Sequence, residues 1–154
     1  MKEELQLKII ERFPQFYKPN LYGCNQKRFY FECMDGFFDL IWKTSEDIEN
    51  ALKKYPVIYL ESFSIVQVKT KFRELRVYWG FDKETAGVLD TNTSSLIYSN
   101  LVEITNRAGT LSRSLCEVCG RNIPAEHIDM TNNWILKCPD CAKKEQDEKQ
   151  SSEI

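Results

Sequence analysis

Apolar residues recur at helical spacing in three stretches of this chain. The first covers residues 3–13 and stops at Pro14, because proline cannot continue a helix. The second covers residues 35–55 and is closed by Pro56 in the same way. In the third, over residues 94–115, apolar side chains lie three or four positions apart, as on the buried face of a packed helix. The pattern therefore predicts three main helices.

The segments between these helices have the apolar and polar alternation of strands. A short strand is predicted for residues 28–33 and two longer strands for residues 62–79. The joining stretch 69–74 lacks a tight-turn dipeptide such as Asn-Gly, which leaves its geometry open, and an irregular loop is predicted for residues 80–93. Because strand and helix do not alternate regularly, the sequence indicates an α+β fold with a small, mostly antiparallel sheet.

Four cysteines near the end of the sequence form the most specific motif. Cys116 and Cys119 make one C-x-x-C pair, Cys138 and Cys141 make a second, and eighteen residues separate the pairs. This spacing is typical of a tetrahedral four-thiolate zinc site. Because four thiolates leave no open position on the metal, we expect one structural zinc ion and no catalytic role for it.

The metal motif divides the chain into three predicted parts. We expect an α+β domain at residues 1–113, and a treble-clef or zinc-ribbon-like module at residues 114–145 that packs on it. A disordered tail is expected at residues 146–154, which are rich in charged and polar side chains. His127 is the only histidine and lies between the two cysteine pairs, but four thiolates make it unnecessary as a ligand.

Charge is unevenly distributed along the chain, whose formal net charge is −2. Residues 116–154 contain five Lys or Arg and eight Asp or Glu, so the predicted metal module is acidic. Binding to nucleic acid phosphates draws its affinity from cationic side chains. A nucleic-acid-binding regulator that acts through the metal module is therefore the less favoured alternative.

The sequence also indicates in which cellular compartment the protein is expected. No apolar run approaches the roughly 20 residues that span a bilayer, and the N-terminus lacks the pattern of a signal peptide. Paired C-x-x-C thiols are typical of a reducing environment, in which Cys24 and Cys33 are expected to stay free. The expectation is a cytoplasmic protein.

A basic and aromatic stretch is the best candidate for ligand binding. Residues 67–76 hold four cations and one acid, and residues 69, 71 and 73 would share one face of a strand. Lysine and arginine beside aromatic side chains can hold phosphates and stack bases. The alternative is a solvated sheet face that binds nothing. The predicted ligand-binding residues are Lys69, Lys71, Arg73, Arg76, Tyr78 and Trp79.

Three carboxylates suggest a further class of function. Glu32, Asp35 and Asp39 could together hold a divalent metal in a hydrolase. The simpler interpretation is that Asp35 caps the second helix, Asp39 lies in its first turn, and Glu32 pairs with a cation. The sequence has none of the glycine-rich phosphate-binding or G-x-S-x-G motifs, so an enzyme is less favoured than a binding protein.

Three short stretches resemble a known family. Residues 32–39, E-C-M-D-G-F-F-D, are similar to an E-C-G-D-G-W-Y-D segment, and residues 67–78, Q-V-K-T-K-F-R-E-L-R-V-Y, are similar to Q-V-K-E-K-F-G-x-L-R-F-Y. Residues 116–120 are similar to a C-E-x-C-G segment. Together they resemble a family of small, uncharacterised proteins of tailed bacteriophages, although Met34 and Arg73 stand where that pattern has glycine.

The resemblance implies a viral origin and a location in the cytoplasm of a host bacterium. It brings no activity or site residues with it. The main hypothesis is a non-enzymatic phage accessory protein that counteracts host antiviral defence by binding a nucleotide-type, anionic small molecule or a host protein. A nucleic-acid-binding regulator and a metal-dependent hydrolase are the second and third hypotheses.

Overall fold

Eight helices and strands make up the computed structural model, which describes residues 1–18, 29–82, 91–128 and 134–152. Short 3₁₀ turns lie at Asp35–Phe37 and Ala125–His127. The predicted α+β class is confirmed. The elements are α1 (Glu3–Arg12), β1 (Phe31–Glu32), α2 (Phe38–Leu52), α3 (Val57–Ser62), β2 (Phe63–Lys71), β3 (Glu74–Phe81), α4 (Thr91–Ser112) and α5 (Pro139–Ser152).

The three strands form one mixed sheet in the order β1-β2-β3. β2 and β3 make a long antiparallel hairpin, and the short β1 pairs with β2 in parallel. The register pairs Ile65 with Trp79 and Gln67 with Tyr78, which leaves Val66 as the extra residue of a β-bulge.

This bulge decides which residues of β2 face the core. Side chains alternate between faces with a period of two, so one extra residue moves all later positions to the other face. Phe63 and Ile65 before the bulge are therefore buried together with Val68 after it. Lys69 and Lys71 consequently point away from the core, on what is called here the outer face of the sheet.

Helices cover the opposite, inner face of the sheet. α4 packs on β3 and on α2, and the rings in the core contact one another at centroid distances near 5 Å, such as 5.1 Å between Phe16 and Phe63. The fully buried aromatic side chains are Phe13, Phe16, Tyr17, Phe31, Phe37 and Phe63.

The end of α4 is held tightly against β3. The backbone N–H of Leu75 donates to Ser112 Oγ over 2.8 Å. A Cβ at Gly109 would lie 3.2 Å from the Leu75 carbonyl oxygen, so glycine permits this close approach. Since the metal module follows α4 directly, this contact also fixes where the module begins.

Two segments differ from the sequence prediction. α3 was not predicted, because its six residues are too few to show a helical period after Pro56. The expected disordered tail at 146–154 is helical as far as Ser152, the end of the described part. Lys149 and Glu145 form an i,i+4 ion pair of 3.1 Å that supports this charged helix.

Other predictions fall on parts of the chain that are not described. Cys24 and most of the predicted loop at 80–93 lie outside the described residues. Within the described ranges, no helix has the length and apolar character needed to cross a bilayer.

Candidate functional site

The two cysteine pairs lie on two different local structures. The first pair is on a tight turn that is closed by a bridge between Leu115 and Asn122. Gly120 completes this turn with a φ of +75°, which is favourable for glycine alone among common residues, and its N–H donates to the Cys116 carbonyl over 2.8 Å. The second pair lies at the start of α5, whose first residue, Pro139, follows Cys138. This combination of a knuckle and a helix start agrees with the predicted treble-clef-like module.

The sulfur positions fit a single metal ion. The four Sγ atoms all lie within 4.8 Å of one another, and Cys119 Sγ and Cys138 Sγ are 3.8 Å apart. Zinc–sulfur bonds of about 2.3 Å place the corners of a tetrahedron about 3.8 Å apart, whereas a disulfide would need about 2.05 Å. Of the residues that the structure describes, these four cysteines are the one group of three or more ligand-type side chains close enough to share an ion.

Arg121 supplies a positive charge beside the sulfurs. Its guanidinium donates to Cys119 Sγ and to Cys138 Sγ, both over 3.4 Å, and pairs with Asp140 over 2.8 Å. Burial opposes ionisation of Cys119, but these donated hydrogen bonds outweigh it and lower the pKa of Cys119 to about 6. Burial and the neighbouring sulfurs instead raise the pKa of Cys141 to about 12. Thiolates this close together repel, so a cation among them would stabilise the ionised set.

The described part of the metal module has a small apolar core of its own. In that part, Ile123 and Leu136 are the buried aliphatic residues, and they pack with Cys116 and Cys138, separately from the main core. So few buried side chains cannot offset the conformational entropy of an ordered chain. A metal ion held by the four cysteines, together with the contact to the rest of the protein, would supply the stability that this small core lacks.

Gly36 makes that contact on the side of the α+β domain. Its backbone N–H donates to the Glu117 carbonyl over 2.8 Å. A Cβ on Gly36 would lie 2.5 Å from the Gly120 nitrogen and 2.7 Å from the Glu117 carbonyl carbon. The knuckle of the first cysteine pair is thus pressed directly onto the turn before α2.

Glu117, between the first two cysteines, is almost fully buried at 1% exposure. Its carboxylate accepts the N–H of Leu136 over 2.9 Å, which ties the knuckle to the second cysteine pair. Burial raises the pKa of this carboxyl, while the hydrogen bond from the Leu136 amide and the charge of Arg73 act against that rise. The effect of Arg73 places the turn of the β2–β3 hairpin near the knuckle.

These contacts bring together the three stretches on which the family resemblance rests. Gly36 belongs to the first stretch, Arg73 to the second and Glu117 to the third. The sequence patterns did not predict that these three residues lie close together. The signal for it was the occurrence of all three motifs in one chain.

The three carboxylates considered for a hydrolase do not come together. Glu32 accepts a hydrogen bond from Gln67 Nε2 over 2.7 Å on the outer face. Asp35 does not cap α2; it accepts the backbone N–H of Lys2 over 2.6 Å at the start of α1. Asp39 lines a groove between α1 and α2. Within the described ranges they form no group that could share a metal ion, so no hydrolase is proposed.

The outer face of the hairpin gathers most of the predicted ligand-binding residues. The register places Lys69 directly opposite Arg76, and Lys71 opposite Glu74. The ammonium of Lys69 lies 5.2 Å from the centre of the Tyr78 ring, within cation–π range. Lys69, Lys71, Arg76 and Tyr78 thus share one solvent-facing surface, which is called here the basic face.

The remaining two predicted residues lie elsewhere. Trp79 is on the inner face, where its ring packs at 4.9 Å from Tyr98 and 5.8 Å from Phe63. Arg73 is not on a strand, because the hairpin turns at Phe72 and Arg73. The expectation that residues 69, 71 and 73 share a face therefore holds only for the first two.

The hairpin turn has an unusual backbone. Phe72 and Arg73 have φ values of +52° and +60°, as in the type I′ turn that normally contains asparagine and glycine. Phe72 is nevertheless 69% exposed, so burial does not compensate the strain. Its ring has the Lys71 ammonium 5.3 Å from its centre.

We expect Arg73→Gly to be more stable than Arg73→Ala by about 1–2 kcal/mol, because only glycine adopts positive φ without a Cβ penalty. Both variants remove the side chain and its charge near Glu117, so their difference isolates the backbone term. Urea denaturation of the two proteins measures it. Equal midpoints would mean that residue 73 does not have a left-handed conformation in solution.

Comparisons with known proteins add no relative. No protein-family model, no curated protein and no solved structure matches this chain.

Proposed function

We propose that this protein acts by binding, without catalysis, and that the basic face takes a phosphate-bearing, nucleotide-type ligand. The observation that supports this proposal most directly is the row of Lys69 opposite Arg76, next to Tyr78, on one exposed side of the hairpin. The two cations would hold phosphate oxygens, and the exposed part of the Tyr78 ring would stack on a base.

The charge balance of this surface favours an anion. Three cations, Lys69, Lys71 and Arg76, stand against two carboxylates, Glu32 and Glu74. Arg113, which follows α4, also bonds to Glu74, over 2.9 Å. Glu74 is already occupied by Arg76 and Arg113, and Glu32 by Gln67. Lys69 and Lys71 are the charges with most freedom to meet a ligand.

We further propose that the metal is one zinc ion with a structural role. Four thiolates in a tetrahedral arrangement are the donor set that zinc prefers in structural sites. Cys116, Cys119, Cys138 and Cys141 would use all four positions, so the ion would fold the module and leave the chemistry of a ligand untouched. Its role in binding would be indirect, through the contact of the knuckle with the domain.

A charge-reversal experiment tests the proposed ligand surface. The double variant Lys69→Glu/Arg76→Glu is expected to weaken binding of ATP, used as the probe, by at least about tenfold, because each charge-assisted bond is worth about 1.5–3 kcal/mol. Isothermal titration calorimetry at about 50 mM salt measures the affinity, since screening weakens such contacts at higher salt.

The matched control reverses the same number of charges on α5. Lys143→Glu/Lys144→Glu is expected to leave ATP affinity within twofold, whereas a nucleic-acid regulator acting through the metal module requires these lysines. An equal loss in both double variants would contradict a localised site. Absence of ATP binding by the unaltered protein would contradict the nucleotide-type ligand.

The second candidate ligand is an acidic surface of a host protein. It is favoured by the openness of the basic face, where Lys71, Arg76 and Tyr78 are all exposed on a sheet surface and not in an enclosed pocket. In an infected bacterium, binding of either ligand would counteract host antiviral defence, by removal of a host-made signal or by occupation of a host defence protein.

A further inference from the structure

We infer that the ligand of the basic face is a single-stranded oligonucleotide that extends from Tyr78 to Phe72, and not a mononucleotide. This inference rests on the proposed function, because it extends the same surface to the tip of the hairpin. It is drawn from the order in which aromatic and cationic side chains follow one another on the outer face.

The register defines that order row by row. Tyr78 stands opposite Gln67 in the first row, Lys69 opposite Arg76 in the second, and Lys71 opposite Glu74 in the third. Phe72 comes next, at the turn. Two exposed aromatic rings therefore lie at the two ends of a strip with three cations between them.

This order matches the way that proteins hold single strands. Cations follow the phosphate backbone, and aromatic rings stack on bases without regard to sequence. Four residues of β3 separate Tyr78 from the turn, which is about 14 Å at about 3.4 Å per residue. A stacked strand rises about 3.4 Å per nucleotide, so about four nucleotide steps connect the two rings. A mononucleotide reaches one ring only.

The strained turn points to Phe72 as a contact residue. A bulky residue with φ of +52° is a conformational outlier, and Phe72 buries too little surface for the fold to require it. Outliers of this kind are characteristic of binding sites. The turn holds the ring beyond the end of the strands, where a base can reach it.

The alternative partner is an acidic protein segment, which would meet the same cations. It would use the two rings less well, because glutamate and aspartate side chains have no flat face to stack on them. The oligonucleotide is therefore the partner that explains both the charge and the aromatic ends.

Fluorescence anisotropy with the full-length, metal-loaded protein tests this inference. The probes are dTMP, dT2, dT5 and dT8, each competing with fluorescein-labelled dT8 at about 50 mM salt. Four steps need about five nucleotides, so we expect affinity to rise by at least tenfold from dT2 to dT5 and less than threefold from dT5 to dT8. Phe72→Ala is expected to lose at least fivefold of the dT8 affinity and to leave dTMP affinity within twofold.

Two control variants keep the result specific. Phe72→Tyr retains the flat ring and is expected to bind dT8 within threefold of the unaltered protein. Leu96→Ala removes an exposed apolar side chain of α4, 56% exposed, and is expected to change nothing.

The outcomes separate the two proposals. Binding of dTMP or ATP without a gain from dT2 to dT5, or with no effect of Phe72→Ala, would overturn the oligonucleotide and leave the nucleotide-type ligand standing. Failure of every phosphate probe to bind would overturn both. Tighter binding of an eight-residue poly-glutamate peptide than of dT8 would identify an acidic protein partner and overturn the oligonucleotide as well.

Discussion

Replacing Cys138 with serine is expected to abolish stoichiometric zinc binding and to unfold the metal module. Zinc contributes about 10–16 kcal/mol of apparent free energy to small four-ligand modules near neutral pH. Among the described residues of the module, the buried aliphatic side chains are Ile123 and Leu136, which are too few to replace that contribution. Native mass spectrometry is expected to give one zinc per chain for the unaltered protein and none for Cys138→Ser.

Amide hydrogen exchange identifies which part of the chain unfolds in the Cys138→Ser variant. We expect amides of residues 116–145 to lose protection, while β2 and β3 keep theirs, because the main core and the module core are separate clusters. Chelation of zinc from the unaltered protein is expected to give the same pattern.

Cys33→Ser is the matched control for this prediction. Cys33 is buried, and burial raises the pKa of its thiol to about 12, so it is a neutral side chain outside the metal group. The variant is expected to keep one zinc per chain. Retention of zinc by Cys138→Ser, or its loss from Cys33→Ser, would contradict the assignment of the ligands.

Local sequence patterns predicted where the helices and strands lie better than they predicted which side chains of each element face the core. Helical periodicity located α1, α2 and α4, and the C-x-x-C spacing located the metal group, because both signals lie within short stretches. The orientation of β2 was different. Strict alternation would place Lys69 and Lys71 on the same face as Phe63 and Ile65, in the core. The bulge at Val66 removes this conflict, but only the pairing with β3 reveals which residue is extra.

Contacts between distant stretches were likewise outside the reach of single-sequence reasoning. The closeness of residue 36 to residue 117 depends on how α4 returns the chain to the start of α2, a property of the whole topology. The predicted ligand-binding residue Trp79 lies apart from the basic face for a related reason, because the alternation that gives Tyr78 to the outer face gives its neighbour to the inner face. Charge and aromatic content distinguish this hairpin in the sequence, and the register decides which of its side chains share a face.

Replacing Gly36 with alanine is expected to be the most destabilising single methyl addition among the glycines that the structure describes. The new Cβ would meet backbone atoms of the knuckle at 2.5 and 2.7 Å, and the Cys116 carbonyl oxygen is closer still. Backbone cannot move aside as a flexible side chain can, so we expect a loss of about 3 kcal/mol, the upper part of the usual range for overpacking. The expected cause is lack of space and not backbone strain. Among the described glycines, positive φ is found at Gly120 and not at Gly36.

The same substitution should also loosen the metal. Its methyl group would push away the turn that carries Cys116 and Cys119, so zinc is expected to transfer to a chromogenic chelator faster than from the unaltered protein. Urea denaturation gives the stability change in the same preparation. Gly80→Ala is the control, because a Cβ there meets nothing within 4 Å, and we expect its stability to change by less than about 0.5 kcal/mol and its zinc release not at all. Unchanged zinc release in a destabilised Gly36→Ala protein would show that the knuckle holds its metal independently of the domain. If both variants matched the unaltered protein, the close packing of the knuckle on the turn before α2 would be wrong.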